Sequence, residues 1–241
     1  MIALLCSVPL EVNRFMAFIT AVEAFPLGSK TFFRGSLSDQ EVALCTGGMG
    51  KTNAAHAAAL LITRFNPEAL IIFGVGGAYP SSGAKIGDIV LATEEIAGDE
   101  GVLTPEGFRD TEYIGIPLVQ SDGLKFYNRF PAPKDLLKKA QKKLSRSQAT
   151  RSLHAGAFVT VSTCTGTTSR AKELEERYGG LCENMEGAAA AQVARLHGVP
   201  WLEVRGISNM VEDRDMKKWD VPRAALAVQQ AVEEILEGWK E

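Results

Sequence analysis

Between Glu183 and Asn209 the chain runs Glu-Asn-Met-Glu, then five small residues from Gly187 to Ala191 and a helical remainder to His197. The break Gly198-Val-Pro200 and an apolar run from Trp201 to Ile207 follow, closed by Ser208-Asn209. A helix built on glycine and alanine can lie almost directly on a sheet. Gly198 and Pro200 stop it, because proline disfavours helical backbone in the residue before it. The run after the break has the length and composition of a buried strand. Helix, break and strand in this order specify an α/β layer fold. In open sheets of that kind ligands bind outside the carboxyl ends of the strands. Arg205, Ser208 and Asn209 are therefore expected to face the same crevice as Glu186.

The same alternation recurs along the chain. Apolar runs of strand length occur at Ile2–Cys6, Glu41–Thr46, Ala69–Phe73, Asp88–Thr93, Ala155–Ser162 and Trp201–Ile207. Helical spacing of apolar residues predicts helices over Pro9–Ala24, Gly50–Phe65, Lys134–Leu144, Ser169–Tyr178, Glu186–His197 and Arg223–Trp239. Together they predict one domain over residues 1–241. Its fold is a three-layer α/β arrangement, with a mixed, mostly parallel central sheet flanked by helices. Gly98–Arg129 is rich in glycine, proline and acidic residues and has weak periodicity. Excursions of that kind are usually functional loops or interfaces.

Charge and composition exclude several classes of function. With 23% charged residues and a net charge of −3, the chain lacks the clustered cations that a nucleic-acid surface needs. The one basic run, Lys134 to Arg146, carries Leu136, Leu137, Ala140 and Leu144 at helical spacing, the pattern of a solvated helix face. No stretch is long enough to span a membrane. The start, Met1-Ile-Ala-Leu-Leu-Cys-Ser, has no basic flank or cleavage site, so a cytoplasmic protein is expected. Cys6, Cys45, Cys164 and Cys182 are widely spaced, and His56, His154 and His197 have no metal-ligand spacing. Structural thiols are expected, with no metal and no organic cofactor.

Two glycine-rich segments are near misses for phosphate-binding motifs. Gly47-Gly-Met-Gly-Lys51-Thr52 has Cys45 where a nucleotide-triphosphate loop needs its first glycine. Gly74-Val-Gly76-Gly77-Ala-Tyr79 has Tyr79 where a dinucleotide fingerprint needs its last. Both remain glycine-rich strand ends that a ligand can approach closely.

Read together, these pieces resemble the nucleoside phosphorylase and nucleosidase superfamily, whose members cleave the N-glycosidic bond of purine nucleosides. The marks are Glu11 after the first strand, Gly47–Lys51, Gly74–Ala78, Lys85-Ile-Gly-Asp88, Gly156-Ala-Phe158-Val159, Asn184-Met-Glu186 and Val204-Arg-Gly-Ile-Ser-Asn209. The resemblance implies that Glu186 binds the ribose hydroxyls, with Met185 against the sugar. It implies that Phe158 stacks on the purine while the Val159 backbone bonds its edge. Val75, Gly76 and Ser208 would complete the substrate-binding wall. The partner is then a small nucleoside, and a homodimer or larger homo-oligomer is expected.

Glu11 and Asn209 refine the reaction. The resemblance implies a phosphate-binding arginine near Glu11 in phosphorylases and a water-activating glutamate in nucleosidases. A carboxylate here repels phosphate and can orient and deprotonate water, with Arg205 helping to hold that water or Glu11. Arg14 is the only nearby candidate for a phosphate ligand. Adenine-releasing members carry aspartate where this chain has Asn209. An amide cannot protonate N7, but it can donate to the N7 and O6 acceptors of a 6-oxopurine. Asp213 and Asp215 are alternative proton sources. With Arg214-Asp215, Trp219 and the Gly98–Pro117 segment, this departure resembles one subfamily, the futalosine hydrolases. These release hypoxanthine from a nucleoside bearing a carboxyphenyl group beyond C5′. Phe108, Arg109, Tyr113 and Arg214 are candidates to hold that group. An adenine-releasing nucleosidase, a 6-oxopurine phosphorylase and a non-catalytic nucleoside-binding protein are the alternatives.

Overall fold

Ile2 to Cys6 are buried on both faces, and alternate residues enter different cores. Ala3 and Leu5 face one hydrophobic cluster and Ile2, Leu4 and Cys6 the other, as the two-residue period of a strand requires. A side chain such as Leu4 gains about 1.5–3 kcal/mol from such burial. The structure, a computed structural model, describes residues 1–121, 123–147 and 151–239.

The strands are β1 Ile2–Cys6, β2 Thr20–Leu27, β3 Lys30–Leu37, β4 Gln40–Thr46, β5 Ala69–Ala78, β6 Ile89–Ala97, β7 Val102–Thr104, β8 Gly107–Arg109, β9 Val119–Ser121, β10 Leu124–Phe126, β11 Arg129–Pro131, β12 Leu153–Thr160, β13 Gly180–Asn184 and β14 Trp201–Met210. The helices are α1 Asn13–Phe18, α2 Lys51–Phe65, α3 Thr111–Ile114, α4 Lys134–Leu144, α5 Thr168–Tyr178, α6 Gly187–Leu196 and α7 Val221–Leu236.

β1 lies parallel between β4 and β5. β5 also pairs with β14 in parallel and with β13 antiparallel. β12 runs parallel to both β6 and β13, while β14 pairs antiparallel with β6. Strands β5, β13, β12, β6 and β14 thus close a ring, and β1, β4, β3 and β2 extend the sheet from β5. The mixed sheet flanked by helices is the expected architecture. Its antiparallel share exceeds expectation, because β2, β3 and β4 form a meander at one edge.

Helices α2 and α6 cover one face through Ala54, Ala57, Ala58 and Leu61 and through Ala188, Ala190, Ala191 and Ala194. Alanine-rich contact surfaces let both helices sit close to the sheet. Helix α7 covers the other face with Val228, Val232 and Ile235 against Ile2, Leu4 and Phe73. Helix α4 packs on α7, and its Lys139 and Lys143 donate to the Trp239 and Glu237 carbonyls, which caps the end of α7. That accounts for part of the basic run. No helix among the described residues is long and apolar enough to cross a membrane.

The helix expected over Pro9–Ala24 is not formed as such. A short 3₁₀ turn, Pro9–Glu11, leads into α1, which stops at Phe18, and the chain then enters β2. The Gly28-Ser29 turn, with φ of 52° and 59°, decides this. Two successive left-handed residues suit a tight hairpin, and the hairpin recruits Thr20–Leu27 as its first strand.

Candidate active site

The carboxyl ends of β1, β5, β13 and β14 open into one cleft of about 270 Å³. Its walls include Glu11, Val75, Gly76, Met185, Glu186, Arg205, Ser208 and Asn209, so eight of the ten residues expected from sequence converge there.

Glu11 is 2% exposed and closes the turn after β1. Its Oε2 accepts from the Ser7 and Val8 N–H groups at 2.8 and 3.1 Å, and its Oε1 accepts from Val75 N–H at 2.8 Å. A carboxylate offers about four lone-pair positions, so one remains for a ligand or water. The close approach requires Gly74, where a Cβ would collide with Glu11 Oε1 and lie 3.0 Å from Arg205 Nη1.

Glu186 stands at the start of α6. Its Oε1 accepts from Gly50 N–H at 2.9 Å, and its Oε2 lies 3.4 Å from Arg205 Nη2. The Gly47–Lys51 turn therefore does bind an anion through its backbone, but the anion is the protein's own Glu186. Lys51 is turned away to Asp99 and Glu100.

Arg205 is buried at the floor. It donates from Nε to Glu203 Oε1 at 2.8 Å and from Nη1 to the Val75 carbonyl at 3.1 Å. Burial pulls its pKa down, but the carboxylates of Glu203, Glu186 and Glu11 outweigh this and push it up, so the guanidinium stays charged. Asn209 Oδ1 accepts from the Ser208 hydroxyl at 2.7 Å, and Nδ2 donates to the Met210 carbonyl at 3.0 Å. The second Nδ2 proton is left for a ligand.

Phe158 and Val159 are corrections. Both are fully buried, Phe158 in the core beneath α6 and Val159 in the core beside α5. Their backbones pair with β6 and β13, so neither can stack on a ligand or read its edge. The reason is register: β12 ends at Thr160, and the crevice begins after it. Cys164 and Thr165, which follow, line the cleft instead. Asp213 and Asp215 are also outside it. Asp213 accepts from Thr168 N–H, and Asp215 caps a short turn through Lys217 N–H. Arg14 pairs with Glu233 at 2.9 Å and is not a cleft residue.

Among the four residues considered for a distal substituent, only Arg214 reaches the cleft. Its guanidinium lies 4.5 Å from the centre of the Trp219 ring, which also lines the cleft. Phe108 instead lies under Arg177. Glu183 is legible as part of the Glu-Asn-Met-Glu motif, although the motif alone assigns it no role. It is 7% exposed, lines the cleft, and accepts from Thr165 N–H at 2.9 Å, Thr165 Oγ1 at 2.6 Å and Tyr79 Oη at 3.1 Å.

The family model described as "Phosphorylase superfamily" matches residues 1–237. The chain belongs to that superfamily. Among superfamily relatives, the futalosine hydrolase of Thermus thermophilus is 33% identical over 78% of this chain and 78% of its own length. That of Streptomyces coelicolor is 35% identical over 82% of this chain and 80% of its own. The 5'-methylthioadenosine/S-adenosylhomocysteine nucleosidase of Maridesulfovibrio salexigens is 33% identical over 77% and 75%. The corresponding Neisseria meningitidis nucleosidase, in complex with methylthio-immucillin-A, superposes with a TM-score of 0.85 at 24% identity, covering 98% of both chains. At that identity it speaks for the fold. Within the superfamily the chain is a nucleosidase.

Proposed function

We propose that the chain is a futalosine hydrolase, releasing hypoxanthine and leaving dehypoxanthine futalosine, within menaquinone biosynthesis in the cytoplasm. The supporting observation is a single cleft with Glu11 at its floor, Asn209 on its wall and Arg214 at its mouth. The free lone pair of Glu11 orients a water and takes its proton as the water oxygen bonds to C1′ of the ribose. The C1′–N9 bond breaks, and its electron pair leaves with the purine. Glu186 accepts from the ribose hydroxyls, and Arg205 holds Glu186 and the water. The remaining Asn209 N–H donates to N7 or O6, where negative charge grows, and the departing base takes its proton from solvent.

Arg214 separates this substrate from an uncharged methylthio nucleoside. Among the described residues it has no carboxylate partner and stacks on Trp219. A cation on an aromatic plane suits an aryl carboxylate. Phosphorolysis is disfavoured because Arg14, the cation next along the chain from Glu11, is tied to Glu233. An adenine-releasing nucleosidase is the second reading, because the Asn209 amide can also pair with the donor and acceptor of adenine. Exposed Leu103, Tyr113 and Ile116 on the Gly98–Arg129 excursion support a homo-oligomer.

Free base is to be followed from futalosine, aminofutalosine, inosine and methylthioadenosine, with and without phosphate. The expected result is fastest hypoxanthine release from futalosine, independent of phosphate. Faster adenine release from aminofutalosine or methylthioadenosine would replace the substrate, and phosphate dependence would replace the reaction.

A further inference from the structure

Below the cleft lie two carboxyl groups, Glu95 on β6 and Glu203 on β14, both 0% exposed. Glu203 Oε1 receives Arg205 Nε–H, but its Oε2 meets no N–H or O–H donor of the protein. Glu95 accepts from Asn184 Nδ2 at 2.7 Å and Thr160 Oγ1 at 2.6 Å. Glu95 Oε1 and Glu203 Oε2 lie within about 4.4 Å of each other, each 2.2 Å from where a Cβ at Gly187 would stand. They share the space left by Gly187, where a Cβ would run into Glu95 Oε1 and Glu203 Oε2 alike.

Two carboxylate anions this close, both sealed from water, repel each other strongly, so the pair holds a proton. Its place follows from the neighbours. Glu203 has the Arg205 guanidinium beside it, whereas Glu95 has the neutral Thr160 and Asn184. Burial, and then the charge of Glu203, raise Glu95 well above the usual carboxylate range. Burial also raises Glu203, but Arg205 opposes it. The other titratable groups facing the pair are Glu186 at the start of α6 and the Cys182 thiol on β13.

We propose that Glu95 is an un-ionised carboxylic acid that donates its proton to Glu203, and that this pair positions Arg205 and the Glu186 turn. The connection to α6 is direct. Asn184 Oδ1 accepts from the Glu186 and Gly187 N–H groups at 2.9 and 2.7 Å, and Thr160 Oγ1 accepts from Ala188 N–H at 2.8 Å. The same network therefore holds Glu95, the first turn of α6 and the side chain of Arg205. Two of the five guanidinium N–H groups remain to face the cleft, since one each is bonded to Glu203, Val75 and Glu186. What those two act on rests on the hydrolase reading; the proton on Glu95 does not.

Infrared difference spectra of wild type against Glu95→Gln at neutral pH test the proton. The carbonyl stretch of an un-ionised carboxylic acid is expected in wild type and is lost in the variant; its absence from wild type overturns the proposal. Positioning is tested by comparing Glu95→Ala with Glu95→Gln on whichever nucleoside the enzyme cleaves. Alanine leaves Glu203 Oε2 unanswered, and kcat is expected to fall ~10²-fold with a smaller change in KM. Glutamine supplies an N–H in place of the proton and is expected to recover most of that loss. Equal impairment of two variants with matched melting temperatures overturns the positioning role. The spectra need no turnover, so they decide even if the alanine variant does not fold or futalosine is not the substrate.

Discussion

At the floor of the cleft charged groups are matched to protein partners, whereas at its mouth Arg214 has, among the described residues, only the face of Trp219. Glu11, Glu186, Glu203 and Arg205 are buried and bonded to backbone or to one another. Arg214 is exposed, and Cys164 and Met49 beside the opening are exposed as well. A floor that is already satisfied can hold its geometry through bond cleavage, whichever nucleoside is bound. An unmatched cation at the mouth instead waits for a partner from the ligand. The comparison separates the reaction from the choice of substrate.

Substitutions at the floor should cost turnover and those at the mouth should cost affinity. Glu11→Gln is expected to lower kcat ~10³-fold, measured by free-base release. Its amide would also face a backbone N–H, so melting temperature must be followed alongside. Glu186→Gln should lower kcat/KM ~10²-fold, because the Gly50 and Arg205 contacts and the ribose hydroxyls all require a carboxylate. At the mouth, Arg214→Met should raise KM for futalosine about tenfold and leave that for inosine unchanged, with kcat the same for both. An equal effect on both nucleosides would erase the distinction between floor and mouth. Gly187→Ala should destabilise the protein by about 1–3 kcal/mol in denaturant unfolding, since its Cβ overlaps Glu95 and Glu203. The smallest effect concerns Cys164, an exposed residue whose sulfur lies against Met185 and whose thiol is raised by that partial desolvation and then by the charge of Glu183. It is protonated at neutral pH, so alkylation should be slow there, accelerate with rising pH and slow again when ligand fills the cleft.

Much of the floor was legible because its residues sit at the ends of strongly apolar strands. β1, β5 and β14 announce themselves through their runs; Arg205 follows from its place near the end of one, whereas Glu11 and Val75 were placed by the resemblance that the motifs after β1 and β5 carry. Phe158 was misplaced because its role came from the resemblance alone; inside an apolar strand it reads as core, and β12 does not end until Thr160. The ligand wall is formed instead by Cys164 and Thr165, beyond the strand end. β13 is short and mixes Leu181 and Cys182 with Glu183 and Asn184, so no periodicity reveals it. Glu95 and Glu203 were invisible for another reason. A glutamate in a strand normally reads as the solvent face, and only the ring of β6 and β14 buries both. Trp219 and Arg214 lie in the loop before α7, where sequence pattern says little about direction.

The reaction at the floor is tested most directly by cleaving futalosine in heavy-oxygen water with phosphate present and locating the label. The expected result is label on C1′ of dehypoxanthine futalosine, one equivalent of hypoxanthine and a rate independent of phosphate. A sugar 1-phosphate free of label would contradict Glu11 as the residue that delivers water.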